Sequence, residues 1–236
     1  MSTRLRVGLA RLIAAQVSLH ACMTGFRMAA PLMALREGHS AAAVGMLLAL
    51  FALAQVFLAL PAGRYADRRG LKKPFALSIG TATLGAAAAV AWPVFPVLCL
   101  TALACGAATG LAMIALQRHV GRLATNPTEL KQVFSWMAVG PSISNFLGPL
   151  LAGIVIDSAG FRAAFLVLAL LPAMAWWWVG RTKELGPVAP EPGAAAFVTV
   201  GAKVAQGQTL LLIEAMKTYN QIKAAIKDAA VALQGA

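Results

Sequence analysis

The sequence predicts an all-α membrane protein of six transmembrane helices with a short, incomplete β tail, and three observations carry that reading. Of the 236 residues, 60% are apolar and 12% charged, against about 45–50% and about 25% in a soluble globular domain. Charge-free windows of 26, 44, 25 and 18 residues separate Glu37 from Arg64, Lys73 from Arg118, Lys131 from Asp157 and Arg162 from Arg181, and a spanning helix needs about 20 residues. The charges between those windows alternate between strongly basic and neutral. A chain threading a bilayer with its basic loops on the cytoplasmic side has that pattern.

The first helix is expected near residues 12–34. The basic start, Met1 to Arg6, leads into an apolar run that no small-residue cleavage site closes, so it reads as a span and not as a removed signal. A second helix is expected near 41–62. The longest window would make a single helix of about 66 Å at about 1.5 Å per residue. Trp92-Pro93-Val94-Phe95-Pro96 interrupts it, which gives helices near 74–92 and 96–117. The fifth and sixth are expected near 133–156 and 162–180. Helices are the structure for runs of this length because backbone groups in hydrocarbon must pair within their own segment. The short alternating segments of a β-barrel are absent from the sequence.

The connecting segments set the orientation. Arg4, Arg6 and Arg11 give the amino-terminal arm +3, and Arg36 with Glu37 cancel after the first helix. Arg64, Asp67, Arg68, Arg69, Lys72 and Lys73 give +4 after the second, and no charge follows the third. Arg118, Arg122, Glu129 and Lys131 give +2 after the fourth, and Asp157 with Arg162 cancel after the fifth. Both termini are therefore predicted on the cytoplasmic side of the cell (inner) membrane. Residues 1–184 hold +11 of the formal net charge of +12. Because the basic groups follow the spans, the surplus reads as orientation, and nucleic acid is not an expected partner. Cys22, Cys99 and Cys105 sit in apolar runs without CxxC spacing or a His at ligand distance, so neither a metal site nor a disulfide framework is expected.

Gly63-Arg64-Tyr65-Ala66-Asp67-Arg68-Arg69-Gly70-Leu71-Lys72-Lys73 resembles the signature Gly-x-Leu-Ala-Asp-Arg-x-Gly-Arg-Lys that the major facilitator superfamily carries between its second and third helices. The placement matches as well. Tyr65 stands where Leu is usual and Leu71 where a cation is usual. The resemblance implies a conformational role in transport for Gly63, Asp67, Arg68, Gly70 and Lys72. In physical terms, the glycines would let two helix ends approach, and Asp67 can accept hydrogen bonds or face a helix amino terminus. In the fifth helix, Gly140-Pro141 and Gly148-Pro149-Leu150-Leu151-Ala152-Gly153 look like the Gly-Pro-rich segment of antiporters in that superfamily, although Gly148 and Pro149 fit simple close packing equally well. Asp157 to Phe165 also looks like its outer loop.

Such transporters have twelve helices in two halves with the solute bound between them. The resemblance therefore implies the amino-terminal six-helix half of a secondary transporter, truncated in length, that moves a small solute without a cofactor and is not an enzyme. A second copy or a separate second half is the implied partner, beside the lipid bilayer. The fourth helix lacks the embedded Arg of many proton-coupled members, and its Gly106-x-x-x-Gly110 reads as a packing face.

Arg27 is the one charge well inside an expected span. An intramembrane charge is a candidate functional group, facing a cavity and attracting an anionic solute; the alternative is snorkelling to the outer interface. His20 shares that helix, and a lone His is more often a packed polar contact than a proton relay.

Beyond Lys183 the composition changes. The expected division is a six-helix half over 1–183, a linker over 184–195, a partial biotinyl-like segment over 196–224 and a short helical tail over 225–236. Phe197 to Val200 and Thr209 to Ile213 are strand-like runs. Ala196-Phe197-Val198-Thr199-Val200-Gly201, Gly207-Gln208-Thr209-Leu210 and Glu214-Ala215-Met216-Lys217 resemble the biotin carboxyl carrier protein family of acetyl-CoA carboxylase. There the matching lysine sits at a hairpin tip and receives biotin, so Lys217 is the implied attachment position. Only about half of that domain is recognisable, and its strands would be left with exposed edges. Biotinylation of Lys217 is therefore predicted to be weak or absent. Two further readings stand beside transport: a membrane-held biotin carrier for a carboxylase or decarboxylase, and a chimeric frame with neither activity.

Overall fold

The structure is a computed structural model that describes residues 3–124, 126–182, 185, 209–215 and 218–223. The chain divides into two units, Met1–Pro187 and Val188–Ala236. In the first, α1 (Thr3–Arg36), α2 (Ala41–Arg69), α3 (Lys72–Ala91), α4 (Phe95–Leu123) and α5 (Pro127–Gly180) are each long and apolar enough to cross a bilayer.

α5 holds two spans. Its 54 residues are broken at Gly160, where φ is 84° and ψ is 175°, so six helical rods stand in five continuous tracts. The expected outer loop around 157–162 is thereby corrected to a corner one residue wide. The reason is local: glycine has no Cβ to obstruct positive φ, and the backbone can change direction at a single position.

The signature segment is likewise helical and not a loop. α2 continues to Arg69, and only Gly70 and Leu71 separate it from α3. At about 1.5 Å per residue a 29-residue helix is about 43 Å long, against a hydrocarbon core of about 30 Å. The charged turns are the projecting ends of spans. α1 and α4 overrun in the same way, to Thr3 and to Leu123. Trp92 to Val94 do break the longest window, while Ser40 and Asn126 cap α2 and α5 by accepting from the N–H groups of Ala43 and Glu129.

Small residues set the helix spacing. A Cβ on Gly106 of α4 would collide with the Phe51 carbonyl of α2, and one on Gly110 would lie 3.2 Å from Gln55. The pairing of 51 with 106 and 55 with 110 makes α2 and α4 parallel, as two spans separated by one intervening crossing must be. α1 and α5 also run parallel. A Cβ on Gly140 would lie 2.8 Å from Gln16 and one on Gly148 2.6 Å from the Ala21 carbonyl. Two apolar clusters fill the interior, one around Phe26, Phe51, Leu98 and Phe165, the other around Leu12, Phe75, Leu116 and Val133.

In the second unit β1 (Thr209–Ala215) pairs antiparallel with β2 (Thr218–Lys223), Leu212 opposite Gln221 and Glu214 opposite Tyr219. β1 covers the expected run at 209–213. Lys217, the expected strand at 197–200, the tail at 225–236 and, apart from Leu185, the expected linker lie outside the described residues.

Candidate functional site

The polar groups of the helical unit gather at its two ends and in a thin band between them. At one end, where the Gly70 N–H closes the last turn of α2 on the Ala66 carbonyl, that turn is met by Arg118 of α4. Its guanidinium donates to the carbonyls of Ala66 and Asp67 at 3.1 and 3.3 Å, while Nε forms an ion pair with the Asp67 carboxylate. The Asp67 side chain is 63% exposed and that of Arg118 20%. An ion pair so open to water contributes about 0.2–1 kcal/mol. The two carbonyl bonds add directional attachment at the negative end of the α2 dipole. Lys72 donates to the Gly180 carbonyl at 3.4 Å and Arg11 to the Arg181 carbonyl at 3.4 Å. That end therefore joins all the connections expected inside, with Arg181 stacked on Trp177.

The other end joins those expected outside. His39 stacks on Phe95 with ring centroids 4.3 Å apart and lies 3.8 Å from the Glu37 carboxylate. Arg36 lies over the Phe161 ring, and Arg162 donates to the Ala91 carbonyl at 3.3 Å. Exposed Trp92 at this end and exposed Trp177 at the opposite one suit the two interfacial aromatic belts of a bilayer.

The signature residues separate into different circumstances. Gly70 needs to be glycine, since its φ is 73° with ψ at −146°. Gly63 does not hold two helix ends together within this unit: a Cβ there would meet nothing within 4 Å, because none of the described helices lies opposite it. Arg68 is exposed, whereas Lys72 is half-buried. Gly148 does make a close approach, seated against Thr24 and Gly25 of α1. Half-buried Pro149 follows it inside α5 and has no N–H to return to the preceding turn. Arg27 lies on the open surface of α1, and no ion pair joins it to another described residue.

Sequence reasoning missed the polar band and the true partner of Asp67. In the band, Gln16 donates to Met113 Sδ at 3.5 Å, Gln55 to Thr109 Oγ1 at 3.5 Å, and Thr24 to the Ser144 carbonyl at 2.8 Å. The available signal was the recurrence of Gln, Thr and Ser within windows otherwise apolar. For Arg118 the signal was its place at the first cation after the longest window, but its partner lies 51 residues away.

Six apolar rods, parallel in alternate pairs and fastened by charge at their ends, define a multi-pass membrane protein seated in a lipid bilayer. The chain belongs to the Major Facilitator Superfamily, whose family model matches residues 12–228. Among solved structures, it is similar to a POT family transporter in complex with a thioalcohol-conjugated peptide, with a TM-score of 0.64, 17% identity, and 78% of this chain against 42% of that one covered. The in meso structure of the POT family transporter PepTSo gives a TM-score of 0.63 at 18% identity, covering 78% and 40%. At such identity the likeness is one of fold.

Two curated proteins match over a short stretch. The biotin carboxyl carrier protein of acetyl-CoA carboxylase from Nostoc sp. (strain PCC 7120 / SAG 25.82 / UTEX 2576) is 58% identical over 36 residues, 15% of this chain and 20% of that protein. The one from Cyanidium caldarium is 61% identical over 33 residues, 14% and 22%. The chain thus spans about a fifth of the curated relatives it matches and about two-fifths of the solved ones.

Proposed function

We propose that residues 1–183 act as one six-helix half of a secondary transporter, moving a small solute across the cell (inner) membrane by alternating access with both termini in the cytoplasm. The observation that carries this reading is the match of the helical unit to about two-fifths of a POT transporter, with the Asp67–Arg118 clasp at its charged end. In such a protein the solute lies near the midplane between two halves, so the working assembly needs a second six-helix half facing this one. Arg27 is exposed on α1 without a described acidic partner, which suits an anionic solute at the outer part of that cavity. Asp67, Arg68, Gly70 and Lys72 would control movement at the inner end, Gly63 would pack on the second half, and Gly148 with Pro149 would fix the α1–α5 crossing. Transport on this reading uses no cofactor and no enzymatic step.

The test is reconstitution in liposomes. A crosslink-verified monomer is expected to give no uptake of small organic anions, and a linked pair of halves is expected to give uptake that Arg27→Gln abolishes. Uptake by the verified monomer would overturn the proposal.

A second reading rests on a separate observation, the match of about 36 residues to biotin carrier proteins, together with a hairpin whose strands flank residues 216 and 217. On it, Lys217 carries biotin and the helices hold the carrier at the membrane for a carboxylase or decarboxylase. An isolated two-stranded hairpin is marginal in water, and for that reason we rank it second. The helix-flanked division into linker, partial biotinyl segment and tail belongs to the same proposal, as does its limit, a chimeric chain competent in neither role.

A further inference from the structure

Gln16 is 5% exposed, and its Oε1 has no hydrogen-bond partner among the described residues. Its Nε2 reaches only a thioether, Met113 Sδ at 3.5 Å, which is a weak acceptor. An amide carbonyl left buried and unpaired forfeits the hydrogen bonds it makes in water. Beside this side chain α1, α3 and α4 line a partly open cavity of about 10 Å³, with Gln16, His20, Phe75, Thr109, Met113 and Leu116 among its walls. That is about the smallest volume that admits one water, which also requires two to four polar partners.

The partners are present on two helices. Oε1 lies against Gly140 of α5 and Nε2 against Met113 on the cavity wall; the two ends of the amide are isosteric, so a flip exchanges a donor for an acceptor at that wall. Thr109 spends its proton on the Cys105 carbonyl at 2.8 Å and accepts from Gln55 with one lone pair, which leaves the other as an acceptor. His20 supplies a ring nitrogen. A wholly apolar cavity of this size stays dry, whereas one with three polar walls does not. A metal cation would need several more oxygen ligands than Gln16 and Thr109 offer.

We infer that this cavity is the site of a single buried water, held by the Gln16 amide, the Thr109 hydroxyl and the His20 imidazole. It completes a polar path across the bundle from Gln55 of α2, through Thr109 of α4, to Gln16 and His20 of α1. α1 packs chiefly on α5 and α2 on α4, so the water joins two helix pairs that otherwise meet little. The site lies inside this helical unit and does not depend on the transport reading.

Hydroxyl-radical footprinting of the full chain in lipid nanodiscs tests it, because radicals form at bound water and oxidise the nearest sulfur. Met113 is half-buried and Met23 only 3% exposed, so the reading is the change in Met113 oxidation between wild type and variant, with Met23 as the internal reference. Gln16→Leu should lower Met113 oxidation at least about threefold and lower the thermal midpoint, since the water loses a partner. Should that variant fail to fold, Thr109→Val gives the same readout. An unchanged Met113 signal in a folded variant or a raised midpoint in Gln16→Leu would each show the cavity to be dry and overturn the inference.

Discussion

Asp67 and Arg118 lie 51 positions apart in sequence, and in the fold the arginine holds both the carboxylate and the last carbonyls of the aspartate's own helix. The clasp thus ties α4 to the end of α2 through backbone and side chain together. Asp67→Asn keeps the two carbonyl bonds and loses only the charge. It is expected to cost the half no more than about 1 kcal/mol of stability. Transport by the paired halves should fall about 5- to 150-fold, the range of a coupling free energy of about 1–3 kcal/mol. Uptake assays beside thermal unfolding separate the two effects. Full transport by the variant would remove the clasp from the mechanism.

Sidedness follows from the basic segments. Single cysteines near Arg36, Phe95 and Gly160, in a chain cleared of its own three, should react with an impermeant maleimide added outside intact cells. Those near Lys72 and Glu129 should react only after the membrane is opened. Labelling at Lys72 from outside would invert the map.

Two glycines should respond oppositely. Gly148→Leu places a side chain where Thr24 and the α1 backbone already stand, and overpacking of that kind costs about 1–3 kcal/mol or more. Gly63→Ala meets open space and should stabilise the isolated half by up to about 1 kcal/mol through helix propensity alone. If Gly63 packs against a second half, the same change lowers transport in the paired assembly. Thermal midpoints of the half and uptake by the pair check both expectations.

Streptavidin blotting of the purified chain, with Lys217→Arg as control, should show little or no biotin. Fusing the carboxyl-terminal half of a biotin carrier domain in frame after the matched segment should give a Lys217-dependent signal. A strong signal from the chain as it stands would favour the carrier reading over transport.

The spans were legible because hydrocarbon imposes a length and an absence of charge on each, and the break at Trp92-Pro93 was legible because proline has no N–H to donate back to the preceding turn and disfavours helical backbone in the residue before it. The turn at Gly160 was not. Asp157 and Arg162 mark a boundary, but a boundary in charge does not give the width of the bend between two helices. Gly70 and Gly63 look alike in sequence, yet only Gly70 has a backbone angle that demands glycine. Arg118 and Gln16 were obscure for a common reason: their partners sit on other helices, and helix rotation, fixed by Gly106, Gly140 and Gly148 against their neighbours, decides which side chains meet.

The connections at the end bearing Arg36, Trp92 and Phe161 comprise Glu37–Ser40, Trp92–Val94 and the bend at Gly160. Such a rim presents hardly any flexible peptide. An antibody or a protease arriving on that face would find almost no epitope and almost no cleavable strand. Affinity reagents against the helical unit would have to be raised to the opposite face, where α2 and α4 project past the bilayer.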